Sequence, residues 1–395
     1  MMNIILYLAL ISLLLIVVTS IYEFYIFNNA PFLNKVKNIK PLETSLSVII
    51  PTYNEEKNIE NCLTALSKIK VPSKEFQILI IDDSSSDETI TIAQKCKEKL
   101  FKDKLSLEII PAGERPNDKN WVGKNWPCYV GSKKVNSKFI LFIDADVVIE
   151  KNCIANALAK SFDDNVDLLS LAPKVNCNCL AEWMVQPIMT SLLMLGFPIS
   201  DTNDPKSKTA FAAGPFMLFR RESYELIGGH KETYNEIVED LALAKKIKAK
   251  DLKLSFLVAI DNISLNMYDN FNSLIEGWSK NWYLGLDKNI FISIVASIFV
   301  FTIYTIPWLI FLSELYKLLF NNYLFLNINN IILSFTGLII YWIKRYYLYK
   351  TYNIPYKLWF LNGLGGLIVI YISFLSIYKT STGSNWTWKG RKLSN

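Results

Sequence analysis

The stretch FILFIDADVVIE, residues 139–150, runs five apolar residues straight into Asp144 and Asp146. A strand with one wet face alternates apolar and polar residues. A strand buried on both faces reads as an unbroken apolar run. Two carboxylates at the end of such a run need something to balance their charge. Carboxylate oxygens with no thiolate or imidazole partner select hard cations, so the expected cofactor is Mg2+ or Mn2+. Such an ion binds through one or two carboxylates and the phosphates of its substrate. A zinc site does not fit, because the six cysteines form no CxxC pair and His230 is the sole histidine.

Other groups can serve the same chemistry. Asn54 and Glu55 follow the apolar run LSVIIPT, and Asp82 and Asp83 end FQILIIDD. In WVGKNWP, Gly123 and Lys124 stand just before a helical pattern, where backbone N–H groups and the helix dipole favour anions. No GxxxxGK[ST] pattern is present, so this is not a P-loop. Far downstream, Glu239 and Asp240 open the helical stretch EDLALAKKIK. They suit the positive end of that helix dipole. Beside a metal–diphosphate crevice, one of them also suits the role of general base for an acceptor hydroxyl.

These residues need elements to carry them. SVIIPTYN is a strand stopped by Pro51, followed by Ile59, Cys62, Leu63, Leu66 and Ile69 at helical spacing. FQILIIDDSSSDET repeats strand, acidic turn and helix, with Ser85 and Glu88 spaced as a capping box. A helix near Tyr129–Val135 then leads into the DAD strand. Strands alternating with helices imply an α/β fold with a mostly parallel sheet. Ligands of such sheets lie outside the carboxyl ends of the strands, where all three acidic clusters fall.

Taken in order, SVIIPTYNEEKNI, ILIIDDSSSDET, GKNWPCYVGSKKVNSKFILFIDADV, AAGPFMLFRRESYELIGGH and VEDLALAKKIK resemble the family 2 glycosyltransferases of GT-A fold, across roughly residues 45–250. With WVGK, GGH, GWSKN and WKGR, the set is similar to the membrane-bound subgroup that includes hopanoid-associated and carotenoid-acid glycosyltransferases. The resemblance implies an inverting transferase using a nucleotide-diphosphate sugar. It implies that Pro51, Tyr53, Glu55 and Asp83 hold base and ribose. Asp146 would be the main metal ligand, with Asp144 on ribose or metal, and Lys124 would face the donor. Asp240 would be the catalytic base and Glu239 its neighbour. Where processive relatives carry Q-x-x-R-W, this chain has EGWSKNWYLG. There Lys280 replaces the arginine as a point charge, without its bidentate fork. Trp278, Trp282 and His230 are candidates for acceptor or interface contacts.

Hydrophobic residues make up 51% and mean hydropathy is +0.22, above what a water-soluble domain of this size needs. The excess sits in an N-terminal anchor over residues 1–25 and in three stretches near 290–312, 323–343 and 358–378 within a C-terminal membrane region, 290–378. Between them lie a transferase domain, 40–265, and an interfacial segment, 266–289; a basic tail follows, 379–395. The apolar stretch 180–199 holds Glu182, Gln186 and two prolines and reads as interfacial. Lys35, Lys37 and Lys40 after the anchor place the catalytic domain in the cytoplasm of a multi-pass cell-membrane protein. Lys379, Lys389, Arg391 and Lys392 place the tail there too, which requires a re-entrant segment or a dip of the 180–199 stretch into the bilayer. The net charge of +6 is spread and not in blocks, which excludes a nucleic-acid partner and fits an anionic membrane surface. The expected activity is sugar transfer from a nucleotide-diphosphate sugar to a lipid or other membrane-embedded acceptor. The rivals are a processive polysaccharide synthase and a non-catalytic membrane partner. Four spans are few for a chain-conducting pore, and both acidic motifs are intact.

Overall fold

The computed structural model describes residues 2–34, 41–102, 105–117, 119–320, 326–354, 356–383, 386–388 and 391–393. Lys35, Lys37, Lys40, Lys389 and the start of the expected 323–343 segment lie outside the described residues. The chain forms two compact units. One contains residues 30–176, 197–267 and 385–395; the other contains 1–29, 177–196 and 268–384. The stretch expected to form one contiguous domain over 40–265 is thus interrupted. Residues 177–196 pack with the apolar helices, and the tail packs with the sheet.

The sheet unit is built on seven strands: β1 Leu42–Thr52, β2 Ser73–Asp82, β3 Ser106–Pro111, β4 Phe139–Ile143, β6 Leu168–Ala172, β8 Phe216–Arg220 and β9 Leu254–Val258, in the order β3-β2-β1-β4-β8-β6-β9. Three further short strands, β5 Val147–Ile149, β7 Lys174–Asn176 and β10 Ile263–Asn266, make a small second sheet. All pairings in the large sheet are parallel except those of β8, which is antiparallel to both β4 and β6. The unbroken apolar runs are explained by helices on both faces. Val48, Ile50, Ile78, Ile80, Leu141 and Ile143 pack on one face with Ile59, Leu63, Ile154 and Leu158. Their immediate neighbours Ile49, Leu79, Ile81, Ile140 and Phe142 pack on the other with Cys128, Leu243 and Ile247. Each strand thus feeds both cores by simple alternation.

Chain order leaves β1 in both directions, to β2 and β3 on one side and to β4 on the other. That reversal opens a crevice outside the carboxyl ends of β1 and β4. The helix expected from Ser85 begins instead at Thr89. Asp87 takes the capping role, accepting from the Thr89 N–H at 3.0 Å, while Ser85 Oγ accepts the Asn54 N–H at 3.0 Å. The acidic turn is therefore stitched both to the chain that follows β1 and to its own helix.

The other unit holds four helices long and apolar enough to span a membrane: 4–28, 290–319, 328–352 and 359–382. Leu14, Ile21, Phe291 and Phe374 are more than half exposed, which a lipid surrounding favours. Some polar groups inside the bundle are paired. Glu23 meets Lys344 at 2.8 Å. Pro307 has no N–H to offer the Ile303 carbonyl, and a wide turn forms at Phe301–Thr305. The Tyr341 hydroxyl donates to that carbonyl at 2.7 Å. Gly365 lets two helices touch, since a side chain there would meet the Met184 carbonyl oxygen at 2.4 Å. The last long helix runs antiparallel to Ile290–Leu319. Gly363 lies by Thr305 and Ser373 by Ser297, and Ser376 Oγ then accepts the Tyr283 N–H at 3.0 Å. The helix Leu180–Gly196 belongs to this unit and packs with it through Val185, Ile188 and Met189.

Candidate active site

Two charge clusters stand at the carboxyl ends of neighbouring strands. The first is centred on Lys124, which follows Gly123 and caps the helix Asn125–Lys134. Its Nζ lies 2.5 Å from Asp144 Oδ1 and 3.1 Å from Glu239 Oε1. Asp144 enters this contact because β4 ends at Ile143. Glu239 and Asp240 enter because the helix Glu239–Ala249 begins there. Asp240 Oδ2 accepts the Gly214 N–H at 2.9 Å, and Oδ1 accepts its own helix's Leu241 N–H at 2.8 Å. A side chain at Gly214 would come within 2.9 Å of Lys124 Nζ and 3.1 Å of Asp240 Oδ2, so only glycine lets the two approach this backbone together.

The electrostatics follow from that geometry. Burial, and then the Glu239 carboxylate, push Asp240 up to about 7, against the pull of Lys124 and the two N–H groups. Burial alone would lower the Lys124 ammonium. The carboxylates of Asp144 and Glu239 outweigh it and hold Lys124 well above the usual lysine range. Asp240 is thus poised to take or hold a proton near neutrality, beside a lysine that stays charged.

The second cluster is centred on Asp83, buried at the end of β2. Arg115 Nη2 donates to Asp83 Oδ2 at 2.5 Å and to the Gly123 carbonyl at 2.9 Å. Arg391 Nη1 donates to the same Oδ2 at 2.5 Å, and its Nη2 to the Asp83 carbonyl at 2.9 Å. The Arg391 guanidinium lies 3.8 Å from the centre of the Tyr53 ring. Pro51 pairs with Ile81 at the adjoining end of β1. Glu55, buried nearby, accepts from Asn58 Nδ2 at 2.9 Å.

The structure thus joins Lys124, Asp144, Glu239 and Asp240 in one cluster, and Tyr53 and Asp83 in another. Asp146 is half-buried one strand period beyond Asp144. His230 is set apart: it is buried, with Nδ1 2.8 Å from the Tyr224 hydroxyl and its ring against Phe142. Burial pulls it down to about 3, so it is neutral. Trp278, Lys280 and Trp282 lie on the helix Phe271–Gly285 of the membrane-helix unit. Trp278 Nε1 there donates to Gln186 Oε1 at 3.0 Å. Sequence reasoning assigned no part to Arg115 or Gly214. Arg115 sits in an aperiodic loop, and the need for Gly214 is visible only once three elements converge.

Among the described residues, no group of three His, Cys, Asp or Glu side chains is arranged to hold a metal alone. Asp144 and Asp146 offer hard oxygen donors and leave the rest of a coordination shell to other ligands. That donor set fits Mg2+ or Mn2+ completed by phosphate oxygens.

Residues 47–228 match the family model described as Glycosyl transferase family 2. The chain is 27% identical over 271 residues to a 4,4'-diaponeurosporenoate glycosyltransferase of Staphylococcus haemolyticus, covering 67% of this chain and 69% of that one. It is likewise 27% identical over 254 residues to an enzyme of the same name from Staphylococcus aureus, covering 64% of each. Among solved structures, a mannosyltransferase from Pyrobaculum calidifontis in complex with GDP-Man and Mn2+ shares the fold, with TM-score 0.53 and 14% identity over 95% of this chain and 99% of that one. The sheet topology, the site at its switch point and these matches agree: the chain is a glycosyltransferase with a family 2 domain of GT-A fold.

Proposed function

We propose that the protein is a membrane-bound inverting glycosyltransferase that moves a sugar from a nucleotide-diphosphate donor to the hydroxyl or carboxyl oxygen of a lipid-borne acceptor. The observation that carries this reading is the placement of Lys124 between Asp144 and Glu239, with Asp240 held alongside by Gly214. Tyr53 and Asp83, with Pro51 and Glu55, hold base and ribose. Asp146, with Asp144, holds Mg2+ or Mn2+, which when bound neutralises charge on the leaving diphosphate. Lys124 orients Asp144 and supplies a second fixed positive charge to the donor. The acceptor oxygen attacks the anomeric carbon as that carbon's bond to diphosphate breaks. A hydroxyl acceptor's proton passes to Asp240. The catalytic unit lies in the cytoplasm of a multi-pass protein. The names of the Staphylococcus relatives favour an acceptor that is an apolar carboxylic acid dissolved in the bilayer.

The test is incubation of membranes containing the protein with labelled nucleotide sugars, followed by lipid extraction and mass spectrometry. A labelled lipid should form with the wild type. With a hydroxyl acceptor it should not form with Asp240→Asn, and equal product from both then refutes the assignment of the base. No lipid product from any donor refutes the acceptor class.

A further inference from the structure

The last described residues form an antiparallel strand pair, β11 Trp386–Trp388 and β12 Arg391–Leu393, within the sheet unit. Trp386 is fully buried against Val122 and Ile237, next to the loop that carries Lys124. This anchor sets Arg391 on the Tyr53 ring with two N–H groups turned to the Asp83 carboxylate and carbonyl. A planar group, stacked on an aromatic ring at 3.8 Å with N–H donors at its edge, makes the contacts a nucleobase would make there. The ring face covered by Arg391 has no room for a base at the same time. Asp83 also binds Arg115, so it keeps a cationic partner when Arg391 leaves.

We infer that the C-terminal tail occupies the nucleobase subsite as an internal competitor, and that donor binding displaces Arg391 with a base whose ring N–H donates to the Asp83 carboxylate, which is to say uracil or guanine and not adenine or cytosine. This inference rests on the reading of Tyr53 and Asp83 as the base subsite. Uracil and guanine carry a ring N–H on the pairing edge, whereas cytosine and adenine carry an acceptor ring nitrogen that would face the carboxylate. A nucleotide therefore binds only the fraction of molecules whose tail is undocked, and its apparent affinity falls by that fraction.

The experiment uses the full chain in lipid nanodiscs, titrated calorimetrically with UDP, GDP, ADP and CDP in the presence of Mn2+. Arg391→Ala should tighten UDP or GDP binding by about threefold or more. Whichever of UDP and GDP binds more tightly identifies the base. Adding it to the wild type should speed amide hydrogen exchange in residues 386–393. Weaker binding by Arg391→Ala, or slower exchange in the tail with nucleotide, overturns the inference. So does ADP or CDP binding as tightly as both others. Tyr53→Ala separates the two levels. If it leaves nucleotide affinity intact, the base-subsite reading falls and the inference falls with it. If it weakens binding while Arg391→Ala weakens it too, the subsite stands and only the tail's role as competitor falls.

Discussion

The two clusters at the carboxyl edge are inversions of each other. Around Lys124 one cation is surrounded by Asp144, Glu239 and Asp240. Around Asp83 one carboxylate is gripped by Arg115 and Arg391. The first has excess negative charge and accepts a cation or a proton. The second keeps Arg115 on Asp83 and, in the inference above, exchanges the Arg391 guanidinium for the edge of a base. A nucleotide-diphosphate sugar with its metal carries both kinds of group at its two ends. In the proposed function the strand ends do not share one design: β4 with the helix at Glu239 would serve bond breaking, and β1 with β2 would serve holding.

The largest expected effect breaks the first cluster alone. Asp240→Asn should lower transfer by ~10²–10⁴-fold while nucleotide affinity stays, since general-base catalysis is removed and the Asp83 cluster is untouched. Near-normal turnover by the purified variant would contradict the division. Next, Asp146→Ala should abolish Mn2+-dependent donor binding, whereas Asp144→Ala should weaken the donor and keep a metal response, as followed by calorimetry with and without Mn2+. An unchanged metal dependence in Asp146→Ala reverses the assignment of ligands.

A smaller effect concerns pH. With Asp240 near 7, activity toward a hydroxyl acceptor should fall on the acid side with an apparent midpoint of about 7. Lys124→Met removes the positive charge that opposes the shift, so the acid limb should move to higher pH. A limb that stays in place separates Lys124 from Asp240. Stability carries the smallest effect. Asp240 is raised from 3.8 to about 7 in the folded chain, so its contribution is complete below about 3.8 and lost as pH rises through about 7. Asp240→Asn is always neutral. Its Tm should therefore exceed the wild type's by more at pH 8 than at pH 5.5, and a constant difference would show that Asp240 does not titrate in this range.

Much of this was legible in the sequence for one reason: strand ends carry their chemistry in consecutive letters. Asp82–Asp83 and Asp144–Asp146 stand where a strand stops and Glu239–Asp240 where a helix starts, and the parallel sheet brings the ends of β2 and β4 to one edge. Position across the sequence was harder. β8 lies antiparallel between β4 and β6, and nothing in FMLFR announces its direction. Ser85 had the spacing of a cap, but the backbone N–H of Asn54 claims it. Arg115 lies in AGERPNDKN, which has no period to reveal where it points. Arg391 was noticed as one basic residue of a tail, and its partner Asp83 is 308 positions away. The stretch 180–199 looked apolar enough for a surface or a core, and only packing placed it among the membrane helices.

That separation has a consequence in time. At about 5–20 residues per second, Arg391 and Trp386 are synthesised roughly 15–60 s after Asp83. In that interval the three long apolar helices 290–319, 328–352 and 359–382 are made, while the strand pair at Trp386–Leu393 is still missing from the sheet unit. Val122 and Ile237 meanwhile remain uncovered, and Asp83 has Arg115 as its guanidinium partner. A chain interrupted before Trp386 would keep Asp144, Asp146 and Asp240 but carry an apolar notch beside the Lys124 loop, and docking of Trp386 closes that notch.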